Sequence, residues 1–105
     1  MTAGALIPMF AALADETRWS ILTALGEGEA SASALAERLP VSRQAIAKHL
    51  AVLQEVGLVE PVRVGREVRF RVIGAELAAT ARALDAIGRK WDRRLAEIKE
   101  IAEGL

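Results

Sequence analysis

The sequence contains neither cysteine nor tyrosine, and its single histidine is His49. Without cysteine there can be no disulfide bond, no thiolate metal site and no cysteine nucleophile. One histidine also makes a histidine-rich metal site unexpected. Nothing in the chain resembles a phosphate-binding loop or a nucleophile elbow. We therefore expect no metal, no other cofactor and no enzymatic activity.

Long apolar stretches are also missing, although 52% of the 105 residues are hydrophobic. No run is long enough to cross a bilayer, and the N-terminus lacks the basic region and small-residue cleavage site of a signal peptide. These absences predict a cytoplasmic protein that has no membrane partner. A chain of this length buries one modest core, so residues 1–105 are expected to form a single domain.

The chain has no excess of charge of one sign, because 14 basic residues balance 14 acidic ones. A net charge of zero argues against a protein that coats nucleic acid through bulk positive charge. The distribution is uneven, however, and residues 42–71 contain six basic side chains against three acidic ones. The six are Arg43, Lys48, Arg63, Arg66, Arg69 and Arg71. This segment is therefore the expected contact with nucleic acid phosphates.

Two apolar helices are predicted in the first quarter of the chain. The first covers residues 6–14 and begins near Pro8, because proline is tolerated in a first helical turn. The second covers residues 16–25, between the N-cap Asp15 and a closing glycine. Trp19 lies at an apolar position of the second helix, where tryptophan is more often a core or interface residue than part of a ligand site.

Two short helices joined by a three-residue turn are predicted over residues 33–56. Ser33 is the expected N-cap of the first, which Pro40 ends because its ring cannot continue the hydrogen-bond ladder. Ser42 caps the second, whose buried stripe has spacings of four and three. The stripe consists of Ile46, Leu50 and Leu53. This arrangement is typical of the helix-turn-helix motif.

The exposed face of the second short helix is small or polar and carries no acidic residue before Glu55. Major-groove reading needs such a face, because base edges are reached from the first turns of a helix that lies in the groove. The residues predicted to contact DNA on this helix are Ser42, Arg43, Gln44, Ala47, Lys48 and His49. Arg43 and Lys48 suit guanine, Gln44 suits adenine, and the first turn suits a phosphate.

An ordinary solvated helix face is the alternative, which the neighbouring helix and the basic segment that follows make less favourable. Ala47 leaves room for a thymine methyl group. His49 lies about 60° from Leu53 around the helix, at the edge of the apolar stripe. A packed boundary residue and a phosphate contact are equally open interpretations of His49.

After residue 57 apolar residues alternate with polar ones, which predicts a β-hairpin over residues 59–72, here called the wing. Pairing Val64 with Val68 requires a loop with an odd number of residues, such as residues 65–67. Three arginines then point to solvent together, with a fourth at the tip. The three are Arg63, Arg69 and Arg71, and the fourth is Arg66. The wing residues predicted to contact phosphates or the minor groove are Arg63, Arg66 and Arg69, and the alternative is a half-exposed sheet that uses arginine for solubility.

From Ala75 onward one helical pattern continues to the C-terminus, with apolar or small residues at spacings of four and three. Its positions are 77, 81, 84, 88, 91, 95, 98, 102 and 105. Such a seam needs a partner helix, because the small host domain cannot cover all of it. We expect residues 77–84 to pack on the body and residues 91–105 to face a second copy, together with the first helix. The predicted dimer-interface residues are Leu6, Phe10, Trp91, Leu95, Ile98 and Ala102.

The order of these elements and several motifs resemble the arsenical-resistance repressor (ArsR/SmtB) family of bacterial winged helix-turn-helix regulators. The resemblance covers nearly the whole chain. The motifs are residues 10–18, 21–22, 41–50, 53–59 and 68–72. The resemblance implies a mainly α fold with a small β-hairpin and a long C-terminal dimerisation helix. It also implies a homodimer that binds double-stranded DNA at a pseudo-palindromic operator.

Three departures from the family pattern bear on metal sensing and on DNA contact. Ser31 and Ser33 hold the positions of the family's third-helix metal cysteines, and the last helix contains no histidine. The resemblance therefore implies a metal-independent member. Ala47 replaces a frequent serine of the recognition helix, which removes one polar DNA contact.

Together these features predict a sequence-specific, dimeric transcriptional regulator that represses and controls its own expression without sensing a metal. The first alternative is a DNA-bridging structural protein of low specificity, which the zero net charge opposes. The second is a dimeric interaction module that no longer reads DNA, which the basic segment opposes. The sequence leaves the operator, the regulated genes and any effector open.

Overall fold

Five helices and a small three-stranded sheet make up residues 3–104, the part of the chain that the computed structural model describes. The helices are α1 (Ala3–Leu13), α2 (Glu16–Glu27), α3 (Ala32–Arg38), α4 (Arg43–Glu55) and α5 (Gly74–Glu103). The strands are β1 (Ala30–Ser31), β2 (Val59–Val64) and β3 (Glu67–Val72). This confirms the mainly α fold with a small β-hairpin. Leu105, the last position of the expected seam, lies outside the described residues.

Helix α1 begins at Ala3, so the prediction of a start near Pro8 is wrong. Proline has a helical φ and removes only one main-chain donor, a cost of about 3 kcal/mol in a helix interior. Burial offsets that cost, because Leu6, Met9 and Ala12 recur every three residues and are all buried. The helix is therefore stabilised by its packing against the body.

Helix α2 has the predicted N-cap, since Asp15 Oδ2 accepts a hydrogen bond from the main-chain N–H of Arg18 at 2.9 Å. It continues past Gly26 and ends at Glu27, two residues beyond the expected end. Ile21, Ala24 and Leu25 form its buried side. Trp19 does not enter the core, because 59% of its surface stays exposed.

The largest fully buried side chains come from the helix-turn-helix, from α2, from β2 and from the turn that precedes β2. They are Ile21, Leu35, Ile46, Leu50, Leu53, Leu58 and Val59. The predicted stripe of α4 therefore forms the centre of the core. Ser42 caps α4 as expected, accepting from the Ala45 N–H at 3.2 Å. The cap of α3 is Ser31 and not Ser33, because the extended strand β1 ends there and Ser31 Oγ accepts from the Ala34 N–H.

The sheet has the strand order β1-β3-β2, and both pairings are antiparallel. Val64 faces Glu67 across a two-residue turn, so the odd-numbered loop and the pairing of Val64 with Val68 are wrong. A two-residue hairpin turn needs positive φ, which Gly65 supplies with φ 64°. Strand β1 was not expected from the sequence, because it consists of only two residues.

Helix α5 is 30 residues long and leaves the body after its first turns. Leu77 packs against the core and Thr80 is buried, whereas Leu84 is half exposed. The expectation that residues 77–84 all pack on the body therefore holds only for the first part. Among residues 3–104, no helix has the length and apolar character needed to cross a membrane.

Candidate nucleic-acid interface

The N-terminal half of α4 presents its polar face to solvent. Ile46, Leu50 and Leu53 anchor the opposite face with at most 1% of their surface exposed, so the rotation of the helix is determined by burial. The exposed residues predicted to read DNA are Ser42, Arg43, Gln44, Ala47 and Lys48. Among the described residues, neither Arg43 nor Lys48 forms an ion pair within the chain. Their charges are therefore available to a polyanion.

Core packing and a main-chain hydrogen bond stabilise the turn between α3 and α4. Leu39 and Val41 are partly buried against the core, and the Val41 N–H donates to the Leu39 carbonyl at 2.8 Å. These contacts set the angle between the two helices. Ser42, Arg43 and Gln44 at the start of α4 are exposed, and helix N-termini carry N–H groups without a partner in the helix that attract phosphate.

A groove of about 490 Å³ separates the wing from the helix-turn-helix. Arg43 at the start of α4 and Arg66 at the wing tip both line it, although 23 positions separate them in the sequence. Its other lining residues are Ser31, Ala32, Ser33, Glu67, Val68 and Phe70. Two guanidinium groups and the exposed Ser33 hydroxyl on one concave surface can bind a phosphate backbone, and the Glu67 carboxylate in the same lining is paired with Arg69.

The observed register separates the arginines of the wing. Arg63 faces Val68, whereas Arg69 faces Val62 on the other side of the hairpin. The prediction that Arg63, Arg69 and Arg71 point to solvent together is therefore wrong. Its cause is the two-residue turn, because a shift of one residue moves each side chain to the opposite face.

Two wing arginines are already paired with carboxylates of the chain. Arg69 Nε lies 3.0 Å from Glu67 Oε2 and its Nη1 lies 3.4 Å from Glu29 Oε1. The hydrogen bond and charge of Glu67, with a smaller effect of Glu29, raise the pKa of Arg69 above its ordinary value. Arg71 Nε lies 2.6 Å from Glu60 Oε1.

Arg63 and Arg66 are exposed and, within residues 3–104, have no such carboxylate partner. The positive charge that the wing offers to a ligand therefore lies at these two side chains. Of the three predicted wing contacts, the structure leaves Arg63 and Arg66 unpaired and places Arg69 in a network within the chain.

His49 is half-buried on the side of α4 that faces α2. Its Nδ1 lies 3.4 Å from Arg18 Nη1 and 3.8 Å from Asp15 Oδ2. This position corresponds to the packed boundary residue of the two interpretations that the sequence left open. Arg18 was not among the expected site residues. The sequence identifies Asp15 as a helix cap. It contains no local pattern that predicts the contact between Arg18 and His49, which are 31 positions apart.

The second half of α5 presents a stripe of apolar side chains that stay exposed within the described residues 3–104. The expected interface residues Trp91, Leu95 and Ile98 are 56–58% exposed, and Ala102 is also exposed. Sequence reasoning missed the exposed residues Ile87 and Ile101. Each lies one position before a small residue assigned to the seam, Gly88 and Ala102 respectively. On α1, Phe10 is half-buried and Leu6 keeps only 9% of its surface, so Leu6 offers little to a second copy.

The two serines at the family's cysteine positions have different surroundings. Ser31 Oγ is engaged as the α3 cap, whereas Ser33 is exposed at the groove. Over the described range 3–104, no group of three or more His, Cys, Asp or Glu side chains is placed to hold a metal ion.

The α3–turn–α4 unit, the β2–β3 hairpin and the solvent-facing start of α4 define a winged helix-turn-helix protein. Residues 13–62 match the sequence pattern of a helix-turn-helix domain family. The regulator CmtR of Mycobacterium tuberculosis is 38% identical over 78 residues, which cover 74% of this chain and 66% of CmtR. The match thus spans just under two thirds of that relative. The arsenical resistance operon repressor of Escherichia coli is 38% identical over 80 residues, covering 75% of this chain and 68% of the repressor.

Solved structures agree with this result. An ArsR-like transcriptional regulator from Rhodococcus sp. RHA1 superposes with a TM-score of 0.85 at 67% identity, covering 94% of this chain and 93% of that one. A homodimeric winged helix-turn-helix DNA-binding domain from Mycobacterium bovis gives a TM-score of 0.67 at 27% identity, with 88% and 82% coverage. This chain belongs to the ArsR family of helix-turn-helix transcriptional regulators.

Proposed function

We propose that this protein is a cytoplasmic, dimeric repressor that binds a specific DNA site without the help of a metal. One observation carries the proposal. The exposed face of α4 has no acidic residue before Glu55, and Arg66 of the wing shares a groove with Arg43 at the start of the helix. The name of the Escherichia coli relative supports repression as the outcome of binding.

In this proposal the first turns of α4 lie in the major groove. Arg43 and Lys48 bond guanine or a nearby phosphate, and Gln44 bonds adenine through two atoms. Ser42 and the free amides of the first turn hold a phosphate that orients the helix. His49 contacts Arg18 on the protein side and has no role in base reading.

The wing follows the DNA backbone beside the recognition helix. Arg66 contacts a phosphate across the groove from Arg43, and Arg63 contacts the backbone from the Val68 face of the hairpin. Arg69 contributes less to binding because Glu67 and Glu29 already offset its charge.

A second copy supplies the other reading head. The apolar stripe of α5 is the surface on which two chains meet, and the homodimeric winged helix-turn-helix domain from Mycobacterium bovis supports that assembly. A two-fold dimer places two α4 helices about one DNA turn, or roughly 34 Å, apart, which matches an operator with inverted half-sites.

The test is selection of bound sequences from a random DNA pool, followed by affinity measurements on the enriched site. We expect an inverted repeat, and we expect Arg43→Ala with Lys48→Ala to weaken binding to that site about 1000-fold or more, because the dimer loses two contacts in each half-site and each base contact contributes about 1–3 kcal/mol. Arg82→Ala with Arg93→Ala removes the same charge from an exposed part of α5 and serves as the matched control. A pool that yields no inverted repeat contradicts specific repression and favours low-specificity DNA bridging.

A further inference from the structure

The end of α1, the start of α2 and the middle of α4 meet at the side chain of Arg18. Its Nε donates to the Ala12 carbonyl at 2.6 Å, and its Nη2 donates to the Ala11 carbonyl at 3.3 Å. Both oxygens belong to the last turn of α1, where carbonyls lack a partner within the helix. A cation is also favoured there by the helix dipole. Arg18 therefore caps the C-terminus of α1.

The third nitrogen of the same guanidinium is directed to the recognition helix. Arg18 Nη1 lies 3.4 Å from Nδ1 of His49. A guanidinium has donors only, so this contact is a hydrogen bond when Nδ1 is the acceptor, which is the tautomer with the ring proton on Nε2. The contact thus requires a neutral imidazole.

A second partner lies on the other side of the ring nitrogen. Asp15 Oδ2 is 3.8 Å from Nδ1 of His49 and also accepts the main-chain N–H of Arg18 as the cap of α2. The pKa of the Asp15 carboxyl lies below its ordinary value, mainly because of that main-chain hydrogen bond, with the charges of Arg18 and His49 adding to the effect. Asp15 therefore stays ionised over the range in which histidine titrates.

We propose that Arg18 is a positioning residue that couples α4 to α1 through neutral His49, and that protonation of His49 releases this coupling and weakens DNA binding. The inference rests on the proposed function, in which α4 reads DNA, and on the expectation from the sequence that α1 joins the dimer interface, where Phe10 is still half-buried. A change in the angle between these helices moves the two reading heads relative to each other.

The chemistry of the junction gives the direction of the effect. A protonated Nδ1 becomes a donor, so it loses the bond from Arg18 and places two cations 3.4 Å apart. Asp15 is the acceptor to which the imidazolium then turns. The charged neighbours of the His49 ring from other elements are Arg18 and Asp15. Helix α1 contributes main-chain carbonyls to this junction. On α4 the nearest charged residues in sequence are Lys48, next to His49, and then Arg43 and Glu55, each six positions away.

The alternative role of His49, a phosphate contact, predicts the opposite sign. An imidazolium that touched a phosphate would strengthen DNA binding on acidification. The pH dependence of affinity therefore separates the two roles.

The experiment measures affinity for the selected DNA site by fluorescence anisotropy at about pH 7.5 and about pH 5.5, at constant salt. We expect the wild-type affinity to fall about fivefold or more at the lower pH, the equivalent of one lost hydrogen bond. His49→Asn keeps an acceptor at the position of Nδ1 and cannot be protonated, so its ratio of affinities should stay near one. Arg18→Lys keeps the charge but cannot bridge both helices, and its ratio should also approach one.

Thermal unfolding of each variant checks that the fold is retained. Equal pH ratios for the wild type and His49→Asn overturn the proposal, as does a wild-type affinity that rises on acidification.

A measurement without DNA distinguishes failure of the Arg18–His49 junction from failure of the proposed DNA-binding function. Because His49 is the only histidine, its ring nitrogens can be observed by NMR without competing signals. We expect the Nε2–H tautomer at about pH 7.5, and a proton on Nδ1 overturns the junction whether or not DNA is bound. A wild type with the expected tautomer that binds no DNA at either pH overturns the proposed function and the DNA-linked part of this inference.

Discussion

Arg69 of strand β3 and Glu29, the residue before β1, form an ion pair with 3.4 Å between Nη1 and Oε1. The pair joins the base of the wing to the segment that leads into the helix-turn-helix. Glu67 adds a second carboxylate at 3.0 Å. One of the arginines expected to contact DNA is therefore paired with carboxylates of the chain, whereas Arg63 and Arg66 have no such partner within residues 3–104.

The wing arginines should differ in how they affect the salt dependence of DNA binding. Arg66→Ala should weaken binding and reduce the slope of log affinity against log salt by about two, because the dimer loses one phosphate contact in each half-site. Arg69→Ala should leave the slope nearly unchanged, since its charge is offset by Glu67 and Glu29. Titrations at several salt concentrations measure both slopes. A larger loss of slope for Arg69→Ala would contradict the assignment of the contact to Arg66.

Helix α4 was predictable because its signals are local. Ser42 supplies the cap, and Ile46, Leu50 and Leu53 recur at the helical period and are buried. Once these positions face the core, the exposed positions of Arg43 and Lys48 follow from geometry. The main candidate contacts on this helix could therefore be found without a structure.

The register of the wing could not be predicted in the same way. Val64 and Val68 are 38% and 40% exposed, so burial does not select one pairing of the strands near the tip. The turn selects it, and the positive φ of Gly65 is compatible with a two-residue connection. Strand β1 depends on pairing Ala30 with Phe70, 40 positions away, which leaves no local pattern.

Two glycines should respond in opposite ways to alanine. Gly65→Ala should destabilise the fold by about 1–2 kcal/mol, because its φ of 64° is unfavourable for a side chain. Gly26→Ala should stabilise it by about 0.5–1 kcal/mol, since Gly26 is helical and an added Cβ meets nothing within 4 Å. Urea denaturation measures both changes. Gly65→Asn is the control for the turn, because asparagine tolerates this conformation and should cost less than alanine.

The cap of α2 should make stability sensitive to acid. The pKa of Asp15 is lowered from 3.8 by folding, so its contribution is fully present above the unfolded pKa and is lost as pH falls through the folded pKa. Asp15→Asn keeps a capping oxygen without the charge. We expect the wild type to have the higher urea midpoint at neutral pH, and the difference from Asp15→Asn to shrink below about pH 4. A difference that does not change with pH would show that the charge of Asp15 makes no contribution.

The apolar stripe of α5 should determine the oligomeric state. Sedimentation equilibrium should show a dimer at micromolar concentration, because a stripe with Trp91, Leu95 and Ile98 more than half exposed is a surface that a monomer does not maintain. Leu95→Gln with Ile98→Gln should weaken the dimer about 100-fold or more, since each buried Leu or Ile side chain contributes about 1.5–3 kcal/mol. Arg93→Gln introduces the same side chain on the opposite side of the helix and should leave the dimer intact. If the wild type is a monomer at that concentration, the stripe is not a dimer interface; if Arg93→Gln dissociates the dimer as strongly, a different face of α5 forms the contact.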